Sequence, residues 1–404
     1  MKFNIPPAVC RAFDVFYENN FEAYLVGGCV RDFLMDKEPH DFDMATNALP
    51  EKTKELFKEY KVIETGIKHG TVTVIINSVP IEITTYRIDG DYFDNRRPEN
   101  VRFTKDIKAD LSRRDFTVNA IAYNPKNGLC DPFYGENDIK RGVIACVGES
   151  DKRFKEDGLR ILRALRFSSV LGFDIEEDTK LSIHKNKELL FNISKERIFS
   201  ELKKFFWGKN VKNVLEEYRD VFKYLIPEIS LNEKTVQLIE NGDFSEEESF
   251  ACLFFYEEDN LKKAEATLKS LKTSNDFKKN VLGILRCSGY KFINDRKYIK
   301  HIIKKEGFYN VRGALSLIKA QSENKEFIDS VLFIVNDIFK NNECVFIKQL
   351  DLDGNDLLNL GFKGEEIKNA LNYALDLVID GTIFNEKTAI FKALEEKITK
   401  NDKN

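Results

Sequence analysis

Two aspartates one residue apart, Asp41 and Asp43, follow a glycine pair, Gly27-Gly28, in the stretch YLVGGCVRDFLMDKEPHDFDMAT from Tyr24 to Thr46. Side chains on a strand alternate with period 2, so positions 41 and 43 point to one face. Carboxylates placed this way can share a pair of hard divalent cations such as Mg²⁺. Paired glycines between an apolar strand, Tyr24-Leu25-Val26, and a helix opening at Cys29-Val30-Arg31-Asp32 let backbone N–H groups approach a ligand. The helix N-terminus adds partial positive charge, which makes an anion cradle suited to phosphate. Either half alone also reads as a tight turn or a solvated strand end. Together they point to nucleotidyl transfer.

Two later segments carry complementary chemistry. Arg113-Arg114-Asp115 sets two guanidinium groups beside a carboxylate. A guanidinium fork suits triphosphate oxygens, and Asp115 can accept a hydrogen bond from a ribose hydroxyl. The segment RFKEDGLRILRALRF, Arg153 to Phe167, reads as one amphipathic helix. At about 100° per residue, Glu156, Arg160 and Arg163 cluster on one side and Ile161, Leu162 and Leu165 on the other. Asp157 sits at the boundary next to Arg160, and Arg166 on the flank. One reading is a surface helix with an ordinary Glu156–Arg160 ion pair. The other is a base selector. Cytosine and adenine each offer an amino donor beside a ring-nitrogen acceptor, whereas guanine and uracil offer a carbonyl beside an N–H. Asp157 would accept from the amino group and Arg160 would donate to the ring nitrogen, for roughly 1–3 kcal/mol of discrimination per bidentate contact.

These groups need a scaffold. Pro7 to Glu18 and Glu51 to Tyr60 read as helices, the second preceded by Pro50. Val62-Ile63, Thr71 to Ile76 and Val79 to Thr85 are β-branched runs that read as strands of one sheet, with Asn77-Ser78 as a hairpin turn. Glu82 is either a third carboxylate near Asp41 and Asp43 or a strand-edge residue without a role. Asp89 to Pro98 reads as a mobile surface loop. Beyond residue 150 amphipathic helices dominate. The clearest is Glu365 to Ile379, with Ile367, Ala370, Leu371, Ala374, Leu375 and Val378 on one face. The fold class that follows is α+β, a small mixed sheet with helices, followed by an all-α C-terminal region. The expected division is 1–150, 151–208, 209–340 and 341–404.

Composition narrows the possible partners. The 404 residues are 42% hydrophobic and 32% charged with a net charge of −4, so contact with nucleic acid needs a local basic patch. One lies between Lys195 and Lys212, where six basic residues face two acidic ones around Trp207; a solvated helix face reads equally well. Seven scattered cysteines without a CxxC fit a reducing cytoplasm. The N-terminal segment has no apolar signal region, and apolar runs such as Val331 to Val335 are too short to span a membrane. His40-Asp41 lacks the further histidines that a metal phosphohydrolase needs. Asp351 to Asn355 places its glycine at the wrong position for a calcium loop.

Gly-Gly-x-x-Arg-Asp followed by Asp-x-Asp-x-Ala-Thr resembles the signature of the class II nucleotidyltransferases, the bacterial CCA-adding enzymes and their poly(A) polymerase relatives. The resemblance is close over residues 20–200, loose through the helical body, and returns in part at Asp351 to Asn385. It implies a nucleotidyltransferase palm over 1–150, a neck with the nucleotide-selecting helix over 151–208, a body, and a tRNA-binding tail. It assigns catalytic metal binding to Asp41 and Asp43, and nucleotide contacts to Gly28, Arg31, Arg114, Asp157, Arg160, Arg163 and Arg166. Glu156-Asp157-Gly158-Leu159-Arg160 is similar to the family's amino-acid template for CTP and ATP. Residues 85–92 with Arg96-Arg97-Pro98 are similar to the flexible loop needed for the final A. The implied activity is template-independent addition of CCA to the 3′ end of tRNA with release of pyrophosphate. The helical remainder would grip the acceptor arm, and no membrane or protein partner is implied. An enzyme adding only the terminal A, or a poly(A) polymerase, is the alternative.

Overall fold

The computed structural model describes residues 3–89, 101–359 and 361–401. The chain forms two compact units, Met1–Pro227 and Glu228–Asn404.

The first unit opens with α1 (Pro7–Glu18), β1 (Ala23–Val26), α2 (Gly28–Leu34), β2 (Phe42–Thr46) and α3 (Pro50–Leu56). Strands β3 (Lys61–Ile63), β4 (Thr71–Ile76) and β5 (Val79–Thr85) follow, then the short pair β6 (Arg87–Asp89) and β7 (Val101–Phe103). Helix α4 (Ile107–Ser112) precedes β8 (Ala122–Asn124) and β9 (Gly128–Cys130). The main sheet has the order β3-β4-β5-β2-β1-β8-β9. All its pairings are antiparallel except β2 with β5, which run parallel. The β-branched alternation of β4 buries Val72, Val74 and Ile76 on one face. Asn77 and Ser78 both adopt positive φ, 48° and 65°, the geometry whose twist suits a two-residue hairpin.

Three sequence expectations change here. Helix α3 stops at Leu56, short of Tyr60, because the chain turns to bury Phe57, whose ring packs edge-on against Phe16 at 5.3 Å. Of the expected loop Asp89 to Pro98, Asp89 closes β6 and the remainder lies outside the described residues. The segment from Arg153 to Phe167 is two helices, α6 (Ser150–Glu156) and α7 (Leu159–Leu171), after α5 (Gly135–Arg141). Between α6 and α7, Asp157 is extended, with φ −146° and ψ 106°. Its Oδ1 accepts from the Leu159 N–H at 3.0 Å, and Gly158 lies so close to Leu189 that an added Cβ would meet it at 3.0 Å. A carboxylate that satisfies a free helix N–H competes with helix continuation, so the helical wheel drawn through Asp157 does not hold.

Two-residue strands β10 (Val143–Ile144) and β11 (Asp174–Ile175) pair in parallel, and α8 (Glu177–Asn186) and α9 (Lys195–Phe205) complete the environment of α7. Ile161, Leu162 and Leu165 of α7 are fully buried, as their spacing predicts. The second unit is helical throughout its described residues. Near its C-terminal end Leu357, Ala370, Leu371, Ala374, Ile390 and Leu394 form one apolar cluster. Asp353 caps the Gly354–Asn359 helix by accepting from the Asn355 N–H at 2.8 Å, which gives that acidic stretch a structural role. Among the described residues no helix is long and apolar enough to cross a membrane.

Arginines tie α6 and α7 to the segment that follows α4. Arg153 donates to the carbonyls of Val147 at 2.8 Å and Ser112 at 2.6 Å, and Arg160 donates to the Arg113 carbonyl at 3.1 Å. Arg163 Nε donates to Asp115 Oδ2 at 2.7 Å, while Asp115 Oδ1 accepts from the Phe116 N–H at 2.9 Å. Burial would raise the Asp115 carboxyl, but Arg163, Arg160 and the backbone donor outweigh it and hold it at about 2. A folded-state value below the unfolded value of about 3.9 stabilises the protein above pH 4, and that contribution is lost as pH falls towards 2. Asp115→Asn is therefore expected to cost about 2–3 kcal/mol at neutral pH. It should also flatten the acid limb between pH 4 and 2, as measured by urea unfolding across pH; an unchanged limb contradicts the assignment.

Candidate active site

Parallel pairing of β2 with β5 sets Asp43 directly beside Glu82 in register, and Asp41 lies one residue ahead of β2. Asp41 is therefore exposed at the strand's entrance, while Asp43 is partly buried on it. Burial, with the like charges of Glu82 and Asp41 opposed by Arg114, pushes the Asp43 carboxyl up to about 6. A carboxylate that holds its proton this strongly stands in an environment short of positive charge. The donors are all hard oxygens, which fits a divalent cation of the Mg²⁺ kind. Among the described residues no group of three or more Asp, Glu, His or Cys side chains stands ready around one ion, so Glu82 is a neighbour of Asp43 in register and no more is assigned to it.

The glycine turn has a structural task that its sequence does not show. Gly27 adopts φ 74° and ψ −130°, and a Cβ there would lie 2.9 Å from Nη1 of Arg114. The turn thus makes room for a guanidinium. Helix α2 has only seven residues, so arginines supply most of the local positive charge. Arg31 donates to Asn119 Oδ1 at 2.8 Å and to Asp32 Oδ1 at 2.7 Å. Arg114 keeps its buried Nε–H without a hydrogen-bond partner. The Phe167 ring lies under three guanidinium groups, Arg166 at 4.0 Å, Arg163 at 5.4 Å and Arg31 at 5.6 Å from its centroid. Burial, with Arg163 and Arg31 adding like charge, lowers Arg166 below the usual guanidinium range even beside Glu201. Crowded guanidinium groups and an orphaned buried donor are features that a polyanion would relieve.

Asp157 and Arg160 turn to other partners. Arg197 of α9 grips Asp157 with 2.7 Å and 3.3 Å hydrogen bonds. Arg160 is only 8% exposed, where the helical wheel placed it on the open face. Its Nη1 donates to Glu156 Oε2 at 2.7 Å and to the Arg153 carbonyl at 3.3 Å. With the Arg113 carbonyl it spends three of its five donors, which leaves two. Asp115, read as a ribose acceptor, has its oxygens taken by Arg163, Phe116 and Asn119.

Sequence reasoning missed Arg197, Glu201, Asn119 and Phe167. Arg197 and Glu201 stand one turn apart on α9, the first facing Asp157 and the second facing Arg163 and Arg166. Arg197 falls inside the basic stretch from Lys195 to Lys212, but nothing local shows that its charge is spent on Asp157. Phe167 has apolar spacing and reads as core.

Residues 23–145 match the family described as the poly A polymerase head domain. Residues 172–232 match the probable RNA- and SrmB-binding site of polymerase A, and residues 244–394 match tRNA nucleotidyltransferase domain 2. A CCA-adding enzyme of Oceanobacillus iheyensis is 36% identical over 92% of both chains. The crystal structure of the Bacillus stearothermophilus CCA-adding enzyme in complex with CTP superposes with a TM-score of 0.81 at 29% identity, covering 99% of this chain and 100% of that one. A tRNA nucleotidyltransferase solved with a primer tRNA and an incoming ATP analogue gives a TM-score of 0.65 at 25% identity, covering 81% of this chain and 99% of that one. With its mixed-sheet head, its signature residues and full-length relatives in agreement, this chain belongs to the class II CCA-adding enzymes.

Proposed function

We propose that this chain adds CCA to the 3′ end of tRNA without a nucleic-acid template, taking CTP twice and ATP once and releasing pyrophosphate each time. One observation carries the reading: a carboxylate with unmet negative charge, Asp43, stands beside Arg114, whose guanidinium fills the glycine turn ahead of α2. Negative charge for metal and positive charge for phosphate thus meet at one strand end. Asp41 and Asp43 would hold two Mg²⁺, which when bound neutralise the triphosphate and activate the attacking 3′-hydroxyl.

The chain's own residues account for the rest. Arg31, Arg114, Arg163 and Arg166 supply guanidinium groups for the triphosphate, with Gly28 leaving the backbone open beside them. Asp157, pinned by Arg197 and the Leu159 N–H, keeps lone pairs for an exocyclic amino group. Arg160 keeps two donors for a ring nitrogen. Pinning these groups on two helices and a fixed break makes the selector rigid, and rigidity is what lets one polar pair accept C and A while opposing G and U. In this reading residues 1–150 are the palm, 151–208 the neck and 209–340 the body. The tail, 341–404, grips the acceptor arm with the body by shape and phosphate contacts.

Three tRNA transcripts, one lacking all of CCA, one lacking CA and one lacking only the terminal A, discriminate the readings when incubated with CTP and ATP and sequenced. Restoration of CCA on the first supports the proposal. Extension of the third alone makes the protein an A-adding enzyme, and long A tracts make it a poly(A) polymerase.

Three further outcomes are expected. Asp41→Ala and Asp43→Ala each lower the rate of addition by about a hundredfold or more; near wild-type turnover would remove the metal assignment. Millimolar MgCl₂ raises the Tm of the wild-type protein and leaves that of Asp43→Ala unmoved, by mass action on the folded state. Asp157→Ala and Arg160→Lys each relax discrimination against UTP and GTP by roughly 10–100-fold in competition assays, and unchanged preference would count against the selector.

A further inference from the structure

The chain's one tryptophan, Trp207, is 61% exposed just beyond the end of α9. Its neighbour Phe205 is fully buried, packed at 5.1 Å against Phe222. The turn that carries Trp207 is firmly seated. Gly208 lies against Ser169 of α7, where a Cβ would stand 1.9 Å from Oγ. Ser169 Oγ donates to the Phe205 carbonyl at 2.8 Å, and the Asn210 N–H donates to the Ser169 carbonyl at 3.2 Å. Ser169 follows Arg166 by three residues and Arg160 by nine on the same helix, about 5 Å and about 14 Å along its axis. The turn that carries the indole is therefore held at a fixed separation from the arginines, within the reach of a few nucleotides.

Lys204 and Lys209 flank Trp207 in sequence, both exposed, and among the described residues neither makes an ion pair. They differ in this from Arg197, which is spent on Asp157, and from Lys203, which lies over the Phe199 ring at 5.6 Å. Single exposed apolar residues are ordinary on protein surfaces. An exposed indole on a firmly seated turn, with an unpaired lysine three residues before it and another two residues after it, is a different arrangement. Protein-contact cores are depleted of lysine, whereas sites for single-stranded nucleic acid combine aromatic platforms with backbone cations. The residues also lie in the segment that matches an RNA-binding family.

We infer that Trp207 is a stacking platform for an unpaired base at the 3′ end of the tRNA, with Lys204 and Lys209 holding the flanking phosphates. The inference rests on the tRNA reading above and is tested apart from it, because emission from the sole tryptophan reports on this ring alone. Titrating the full-length wild-type protein with tRNA lacking CCA is expected to quench or shift that emission saturably. A blunt RNA duplex with no unpaired end should leave it nearly unmoved. Trp207→Ala should raise the KM for tRNA about tenfold, leave the KM for CTP in place, and be rescued by Trp207→Phe. Lys204→Gln with Lys209→Gln should reduce the salt dependence of tRNA binding. Emission unmoved by saturating tRNA, an equal change with the blunt duplex, or a Trp207→Ala KM for tRNA within twofold of wild type overturns the inference. None of these outcomes touches the CCA reading, which stands or falls on extension of the three transcripts.

Discussion

The head of this protein is organised by charge balance in a poorly hydrated space. A charge removed from water is tolerated when an opposite charge and hydrogen bonds replace the lost solvent. The carboxylates that face α7 obey that condition. Asp115 is matched by Arg163, Glu156 by Arg153 and Arg160, Asp157 by Arg197, and Glu201 by Arg166. Asp110, fully buried below them, is matched by Arg113. Asp43 is the exception, where burial, with the like charges of Glu82 and Asp41, outweighs its one favourable neighbour, Arg114. The fold thus neutralises five carboxylates and leaves a sixth, Asp43, without a matching cation of its own, which supports the metal reading proposed above.

The same balance accounts for the break between α6 and α7. In one continuous helix Asp157 and Arg160 would face each other at i, i+3 and satisfy one another. The break at Asp157 prevents this. It turns the carboxylate to Arg197 on α9 and leaves the Arg160 guanidinium to Glu156 and two carbonyls. Each member is held from behind, and neither spends its remaining capacity on the other. Rigidity comes from the supporting partners, and this is the arrangement that the proposed base selector requires.

Much of this was legible before any coordinates. Strands β4 and β5 have the ends that β-branched runs and the Asn-Ser turn imply, and α1 begins at its proline. These elements are set by local rules, namely side-chain alternation and a fixed φ at the first helical turn. The helix end at Leu56 and the break at Asp157 were not legible. Both depend on what a distant residue offers, the Phe16 ring in one case and the close approach of Leu189 in the other. The partner of Asp157 escaped for the same reason, since Arg197 is forty residues away and looks like any other charge in a basic stretch.

The amino-acid sequence by itself determined the chemical inventory: two carboxylates one residue apart, a run of arginines, and an acid set close to an arginine after residue 150. Residue type and near-neighbour spacing are enough for that, because functional groups keep their donors, acceptors and charges in any fold. Only the tertiary structure decided which of those charges are free. Parallel pairing of β2 with β5 crowds Asp43 against Glu82, and α9 brings Arg197 to Asp157 and Glu201 to Arg166 of α7. Whether a charge is spent depends on groups brought together through space, and chain order does not encode that distance.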